Sequence, residues 1–331
     1  MQQLVSLAVL SIFFFASAPN VRAQASYGQP ATPRIVLYVQ MALQHGDLSQ
    51  ASALVAQFRR LNGDNPEALE ALSWLARGQL AFGHLEQANS EAAEIERSAT
   101  AALATRSLDQ EPHLPIALGA AYEIQAEILN AEHKKTEAVA LLENEMRRWR
   151  GTSIVNRLQK NLNLLTLQGK AMPPLKETEW IGAKPVPLVS ERGKVLLLFF
   201  WAHWCADCKA DAPIIAKLAH DYAARGLVVV APTRLYGYTA EDEHAAPAIE
   251  RPFIDKVYEH YYATIPNAGV PLDTGNFDRF GVSTTPTLVL VDRRGIVRLY
   301  NPGAMDEQSL RAAVEPLLAA GRVPERAAIT R

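Results

Sequence analysis

Cysteine is nearly absent from this chain of 331 residues, which has two. Both stand in one C-x-x-C, Cys205-Ala206-Asp207-Cys208. No framework of disulfides therefore holds the fold together. A thiolate zinc site wants two further ligands, and no second cysteine pair supplies them, so no metal is expected. No basic tract stands out, and the net charge is -2. That leaves nucleic acid without an electrostatic footprint. His45, His84, His113 and His133 are scattered without metal-ligand spacing and read as surface or turn residues. Their number and spacing call for no cofactor.

The N-terminus bears on the compartment. Leu4 to Ala18 is almost entirely apolar, yet short for a spanning helix. Val21-Arg22-Ala23 suits signal-peptidase cleavage, so residues 1–23 read as a signal peptide. Met1-Gln2-Gln3 lacks the usual basic residue, and a retained membrane anchor is the alternative. No cysteine near residue 20 offers a site for lipid attachment. Either reading places the domains in the periplasm or another extracytoplasmic space, where cysteine pairs need redox management.

The length is a soft prior for two domains. Residues 24–34 read as a disordered lead, and residues 35–168 as an all-α domain. Apolar residues recur at three- and four-residue steps in Ile35–His45 and Leu48–Leu61, split by Gly46-Asp47. A second pair, 66–82 and 85–97, turns at Gly83-His84, 37 positions later. A third pair is expected at 115–130 and 135–149, hinged at Ala131-Glu132-His133, with small residues Ala71, Ala120 and Ala126 at close helix approaches. The pattern resembles tetratricopeptide-type helical hairpins. Such an array implies peptide or protein docking, or else dimerisation or spacing. Residues 169–178, with Met172-Pro173-Pro174-Leu175, read as a linker.

Residues 179–320 change character, and 321–331 read as a flexible tail. Val195–Phe200 is a continuous apolar run suited to a buried strand. The two cysteines follow it, and then a helix-compatible segment, Lys209–Arg225. A cysteine pair where a strand meets a helix suits a dithiol redox centre, because orphan amides at a helix N-terminus favour a thiolate. Leu227–Ala231 forms a second strand, parallel to the first by a right-handed crossover. Thr287–Val291 and Ile296–Tyr300 read as an antiparallel edge hairpin. Helices are expected over 248–262 and 308–318.

At these residues the resemblance becomes specific. Trp201-Ala202-His203-Trp204-Cys205-Ala206-Asp207-Cys208-Lys209, Pro213, Phe280–Thr287 and Leu290–Gly295 resemble the thioredoxin superfamily, and within it the TlpA/ResA branch of extracytoplasmic thiol–disulfide oxidoreductases. The resemblance implies an α/β thioredoxin-like fold, a central mixed sheet flanked by helices. It implies an enzyme whose exposed Cys205 attacks and whose less exposed Cys208 resolves through a redox-active Cys205–Cys208 disulfide. Pro286 would be a cis-proline facing the cysteines, with Thr285 offering backbone groups to a substrate chain. Asp211 stands where related enzymes often carry glutamate and would exchange a proton with Cys208; the alternative is a solvated first-turn acid. Ala206 and Asp207 would tune the thiolate. His203 would tune Cys205 or face water, and Trp201 and Trp204 would shape the surface around the sulfurs. The tyrosines of 232–282 would form a partner surface or cover the sheet.

The implied partners are cysteine-containing secreted proteins and an upstream thiol–disulfide electron donor, with reduction of the partner favoured over oxidation. Peroxide reduction is a weaker variant. The alternatives are a non-catalytic binding protein that uses the helical repeats, and a Cu(I) carrier that uses the dithiol.

Overall fold

The computed structural model describes residues 32–182 and 187–320. The signal segment, most of the 24–34 lead and the 321–331 tail lie outside the described residues. The chain divides into two compact units between Lys134 and Lys135.

The first unit is helical: α1 (Arg34–Gln44), α2 (Leu48–Asn62), α3 (Pro66–Ala81), α4 (Leu85–Ala102) and α5 (His113–Ala131). Helix α1 buries Ile35, Val36, Val39, Ala42 and Leu43, the stripe its periodicity foretells. Helices α1, α3 and α5 end in the same way. Gly46, Gly83 and His133 have φ of 74°, 83° and 64°. The next amide then reaches back five residues: Asp47 N to Ala42 O at 2.9 Å, His84 N to Gln79 O at 2.8 Å and Lys134 N to Leu129 O at 2.8 Å. This left-handed helix stop ordinarily takes glycine, and His133 occupies it in the third turn. Ala71, Ala120 and Ala126 are buried as expected. Leu43 packs so close to Gly78 that a Cβ there would meet its Cδ1 at 3.1 Å.

The second unit holds α6 (Lys135–Arg148), α7 (Val155–Thr166), β1 (Val195–Phe200), α8 (Ala206–Tyr222), β2 (Leu227–Val230), α9 (Pro247–Tyr261), α10 (Thr274–Phe280), β3 (Thr287–Val291), β4 (Val297–Pro302) and α11 (Glu307–Ala319). The four strands form one sheet in the order β2-β1-β3-β4. β1 pairs parallel with β2 and antiparallel with β3, and β3 pairs antiparallel with β4. This is the expected mixed sheet with its edge hairpin. Side chains of a strand alternate between faces, so β1 feeds two cores. Val195, Leu197 and Phe199 join Ile215, Leu218, Leu310 and Val314 of α8 and α11. Leu196, Leu198 and Phe200 join Phe277 and Phe280 of α10.

The segment 135–176, α6 included, lies in the second unit rather than in the expected helical domain and linker. The sequence pattern puts α7 in the helical domain and 169–178 in a linker. In the structure α7 packs on α10 and β4. Asn163 Nδ2 donates to Phe280 O at 2.9 Å, and Leu167 joins the core on that face. The chain then runs along the open edge of β4. Gly169 N donates to Val297 O at 2.8 Å, Val297 N to Lys170 O at 2.9 Å, and Met172 N to Gly295 O at 2.9 Å. An edge strand presents unpaired N–H and C=O groups, and this segment covers them. Lys176 N is tied to Asn276 Oδ1 at 2.8 Å.

Gly281 makes the α7 contact possible. Its φ is 59°, and a Cβ there would stand 2.6 Å from the Gln159 carbonyl carbon. Gly281→Ala is expected to lower unfolding stability by about 1–3 kcal/mol or more, read as a lower urea midpoint at unchanged slope. An unchanged midpoint would show that α7 does not need this close approach.

Candidate active site

The sheet positions the cysteines. After β1 the chain leaves the sheet at Trp201, whose N donates to Pro232 O at 3.1 Å and whose Nε1 donates to Ala231 O at 2.9 Å. Thr233 Oγ1 donates to Trp201 O at 3.0 Å. Cys205 N then donates to Ala202 O at 3.1 Å and closes a turn. Cys205 is the N-cap of α8, and its Sγ accepts from Cys208 N at 3.1 Å. The helix thus starts at Ala206, three residues before its expected start. The sulfurs sit on its first turn, where the orphan amides and the dipole favour negative charge on the cap.

Cys205 and Cys208 are joined as a disulfide. Cys205 is 3% exposed and Cys208 is fully buried. The first sulfur is the nearer to solvent, but it is far less open than the resemblance implies. Ala206 and Asp207 carry the exposure at this point. Cys205 Sγ lies 3.4 Å from Thr285 O. The Thr285–Pro286 peptide is cis, as expected, and Thr285 is half-buried beside the disulfide.

Asp211 is buried one turn beyond Cys208, and its Oδ2 has no hydrogen-bond partner among the described residues. Burial raises its carboxyl to about 7. The charge of Asp207 adds to this, and a hydrogen bond from the Met305 backbone opposes it. The solvated alternative therefore does not describe Asp211, whereas it does describe Asp207 in the first turn of α8. Lys209 is half-buried, with its ammonium 5.1 Å from the Tyr261 ring centroid, and burial lowers its pKa. Pro213 lies well inside α8, where its missing N–H leaves the Lys209 carbonyl without its helical donor.

One expectation is corrected, and one alternative falls away at His203. Trp201 does not shape the surface: it is fully buried, with its ring centroid 4.1 Å from that of Tyr262. His203 does not face water. It is 3% exposed, and its Nε2 stands 3.3 Å from Glu250 Oε1, without the alignment of a hydrogen bond. Most of the tyrosines of 232–282 point inward: Tyr238 and Tyr262 are buried, Tyr236 and Tyr258 half-buried, and Tyr261 is exposed. Trp204 is half-buried, edge-on to Tyr236 at 5.7 Å.

Glu250 is the residue that sequence reasoning missed. It is one acid among Glu241, Asp242 and Glu243, and no spacing marks it. Among the described residues no group of three or more His, Cys, Asp or Glu side chains could hold a metal ion. No helix among them is long and apolar enough to cross a membrane.

The burial of Asp211 has a measurable consequence. An unfolded chain releases this proton near 3.8, but the folded chain holds it to about 7. Between those values the folded form binds more protons, so stability falls as pH rises. Asp211→Asn removes that loss. The variant is expected to exceed the wild type in stability by on the order of 2–4 kcal/mol at about pH 8, with the gap closing toward about pH 4. Urea titrations at both pH values measure it, and a gap that does not change with pH would show that Asp211 does not titrate in this window.

Comparison with known proteins bears on the C-terminal half of the chain. Residues 187–317 match the model of a thioredoxin-like domain. The chain is 28% identical over 129 residues to the thiol:disulfide interchange protein DsbE of Xylella fastidiosa strain Temecula1, covering 38% of this chain and 56% of that one. It is 27% identical over 128 residues to the thioredoxin-like protein YneN of Bacillus subtilis, covering 39% and 68%. It is 24% identical over 132 residues to the thiol-disulfide oxidoreductase ResA of Geobacillus thermodenitrificans, covering 39% and 67%. The chain thus spans little more than half the length of that DsbE relative. A solved structure of a putative DsbE from Chlorobium tepidum aligns at 28% identity with a TM-score of 0.36, over 46% of this chain and 97% of that one. The C-terminal half of this chain carries a thioredoxin-like domain, similar in sequence to those of the DsbE and ResA thiol–disulfide oxidoreductases.

Proposed function

We propose that the chain is an extracytoplasmic thiol–disulfide oxidoreductase that exchanges disulfides with protein cysteines, acting as reductant. One observation carries this reading: a Cys205–Cys208 disulfide on the first turn of α8, with Cys205 Sγ against the carbonyl of Thr285. A structural disulfide needs no helix cap and no neighbouring backbone edge. A redox dithiol uses both, the first to favour a thiolate and the second to align a partner chain.

In the reduced protein the Cys205 thiolate attacks one sulfur of a partner disulfide. That S–S bond breaks and the other partner sulfur leaves as a thiolate. A mixed disulfide now joins Cys205 to the partner. Cys208 gives its proton to the Asp211 carboxylate, and the new thiolate attacks Cys205 Sγ. The second partner sulfur leaves, and Cys205–Cys208 is closed. Two electrons have passed to the partner, and an upstream dithiol restores the centre. A carboxyl at about 7 stands close enough to an ordinary thiol, near about 8.5, to trade a proton with it near neutrality.

The similarity to DsbE and ResA supports the reaction class. The apolar Leu4–Ala18 supports placement outside the cytoplasm, by cleavage or by anchoring. The helical unit would then recruit the partner. Dimerisation or spacing is the alternative role for that unit.

Insulin reduction by residues 24–331 is expected, falling to background with Cys205→Ser. Cys208→Ser is expected to trap a covalent adduct visible on a non-reducing gel. Redox titration against glutathione gives the direction of transfer. A potential near or below about -220 mV supports a reductant, and one near about -120 mV reverses the direction. A folded protein without a reversible two-thiol transition would end the enzyme reading.

A further inference from the structure

Glu250 sits on the first turn of α9 and is fully buried. Its Oε1 accepts from Tyr236 N at 2.5 Å, and its Oε2 accepts from Gly237 N at 2.8 Å. Oε1 also faces His203 Nε2 at 3.3 Å. Edge-on rings enclose His203: Tyr236 at 5.4 Å, Tyr238 at 5.2 Å and Phe253 at 5.3 Å between centroids. Tyr236 then returns to the cysteine loop twice. Its ring meets Trp204, and its hydroxyl stands 3.4 Å from Trp201 O.

One carboxylate therefore ties helix α9 to the 236–237 backbone and stands against a third piece of chain, the loop that leads into Cys205. Burying a charged group is costly unless hydrogen bonds meet it. An apolar side chain of the same volume would fill the space, but it could not bind two amides or face His203. The contacts arrive at His203 and Trp204, the two residues immediately before Cys205.

We propose that Glu250 is the positioning residue of the redox centre, holding His203 and the Tyr236–Trp204 wall so that a partner polypeptide finds a preformed surface beside Cys205. The inference rests on the thiol–disulfide reading above and names what that site is built to accept: a disulfide within a polypeptide rather than a small free one. Half-buried Thr285 lies against the sulfur, and half-buried Trp204, the residue before Cys205, meets half-buried Tyr236. A polypeptide meets all three, whereas a small aromatic disulfide needs the sulfur alone. The sulfur's own contacts, Cys208 N and Thr285 O, do not pass through Glu250.

The test uses the full chain and Glu250→Gln. The amide side chain offers one acceptor oxygen where two are used, so one of the two backbone N–H groups loses its partner. The ratio of kcat/KM for reducing insulin to that for reducing 5,5′-dithiobis(2-nitrobenzoate) is expected to fall about tenfold, the scale of a small misplacement of contact groups. Equal loss on both disulfides, or a ratio within twofold of the wild type, overturns the proposal. His203→Gln keeps both Glu250–amide bonds and is expected to lower the same ratio, so it decides the matter if Glu250→Gln does not fold. Amide hydrogen exchange reads the coupling without any activity. In Glu250→Gln it is expected to quicken at 202–205 and at 236–237 together, and quickening at 236–237 alone overturns the proposal. A wild type that reduces neither disulfide refutes the reductase reading, and the exchange experiment still decides whether Glu250 holds the cysteine loop.

Discussion

The second unit depends on the burial of β1 from both sides. Its six apolar side chains alternate between two cores, and it is an interior strand of a four-stranded sheet. Neither face nor edge is open, so its register cannot slip without moving every side chain to the wrong core. The end of the strand is correspondingly fixed. Trp201 is gripped through its amide, its carbonyl and its indole nitrogen, and Cys205 follows within one turn. The cysteine pair inherits its position from that strand, and its chemistry comes from the helix that begins there.

Covering both faces of the sheet explains the reach of the chain upstream. Helices α8 and α11 supply one cover. The other face carries α10, a helix of seven residues, which is short for the apolar area that Leu196, Leu198, Phe200, Val289 and Val291 present. Helix α7 and the segment after it extend that cover and close the edge of β4 as well. The compact unit therefore begins well before the residues that match a thioredoxin-like domain, 187–317. The approach of Gly281 to α7 is part of how this domain is completed.

Much of this was legible in the residues. The apolar run of β1, the hairpin around Asp292–Gly295, the helix turns at Gly46 and Gly83, and the cysteine pair before α8 all follow from local pattern, and all are in place. Three matters were not legible, each for a physical reason. The periodicity of α7 says that it has an apolar face, but periodicity carries no information about what covers that face. His203 between two tryptophans carries no mark of direction, because a histidine suits water and an aromatic pocket alike. Glu250 is distant in sequence from the cysteines, and its role exists only where α9 lies against the Tyr236 loop. Tertiary placement of polar groups is the information that a single sequence hides best.

The two buried acids beside the cysteines show how placement divides their work. Glu250 has backbone N–H donors on both oxygens, so its charge is already met by the structure. A group satisfied in this way holds geometry. Asp211 has a buried oxygen with no donor among the described residues and an acidic neighbour in Asp207, and its carboxyl rises to about 7. The bond that the fold leaves unmade at Asp211 is the one a proton can fill. Cys208 lies one helical turn away, and in the proposed exchange its thiol must lose a proton before it can attack. The same burial that weakens the fold at alkaline pH would ready an acceptor for that proposed step.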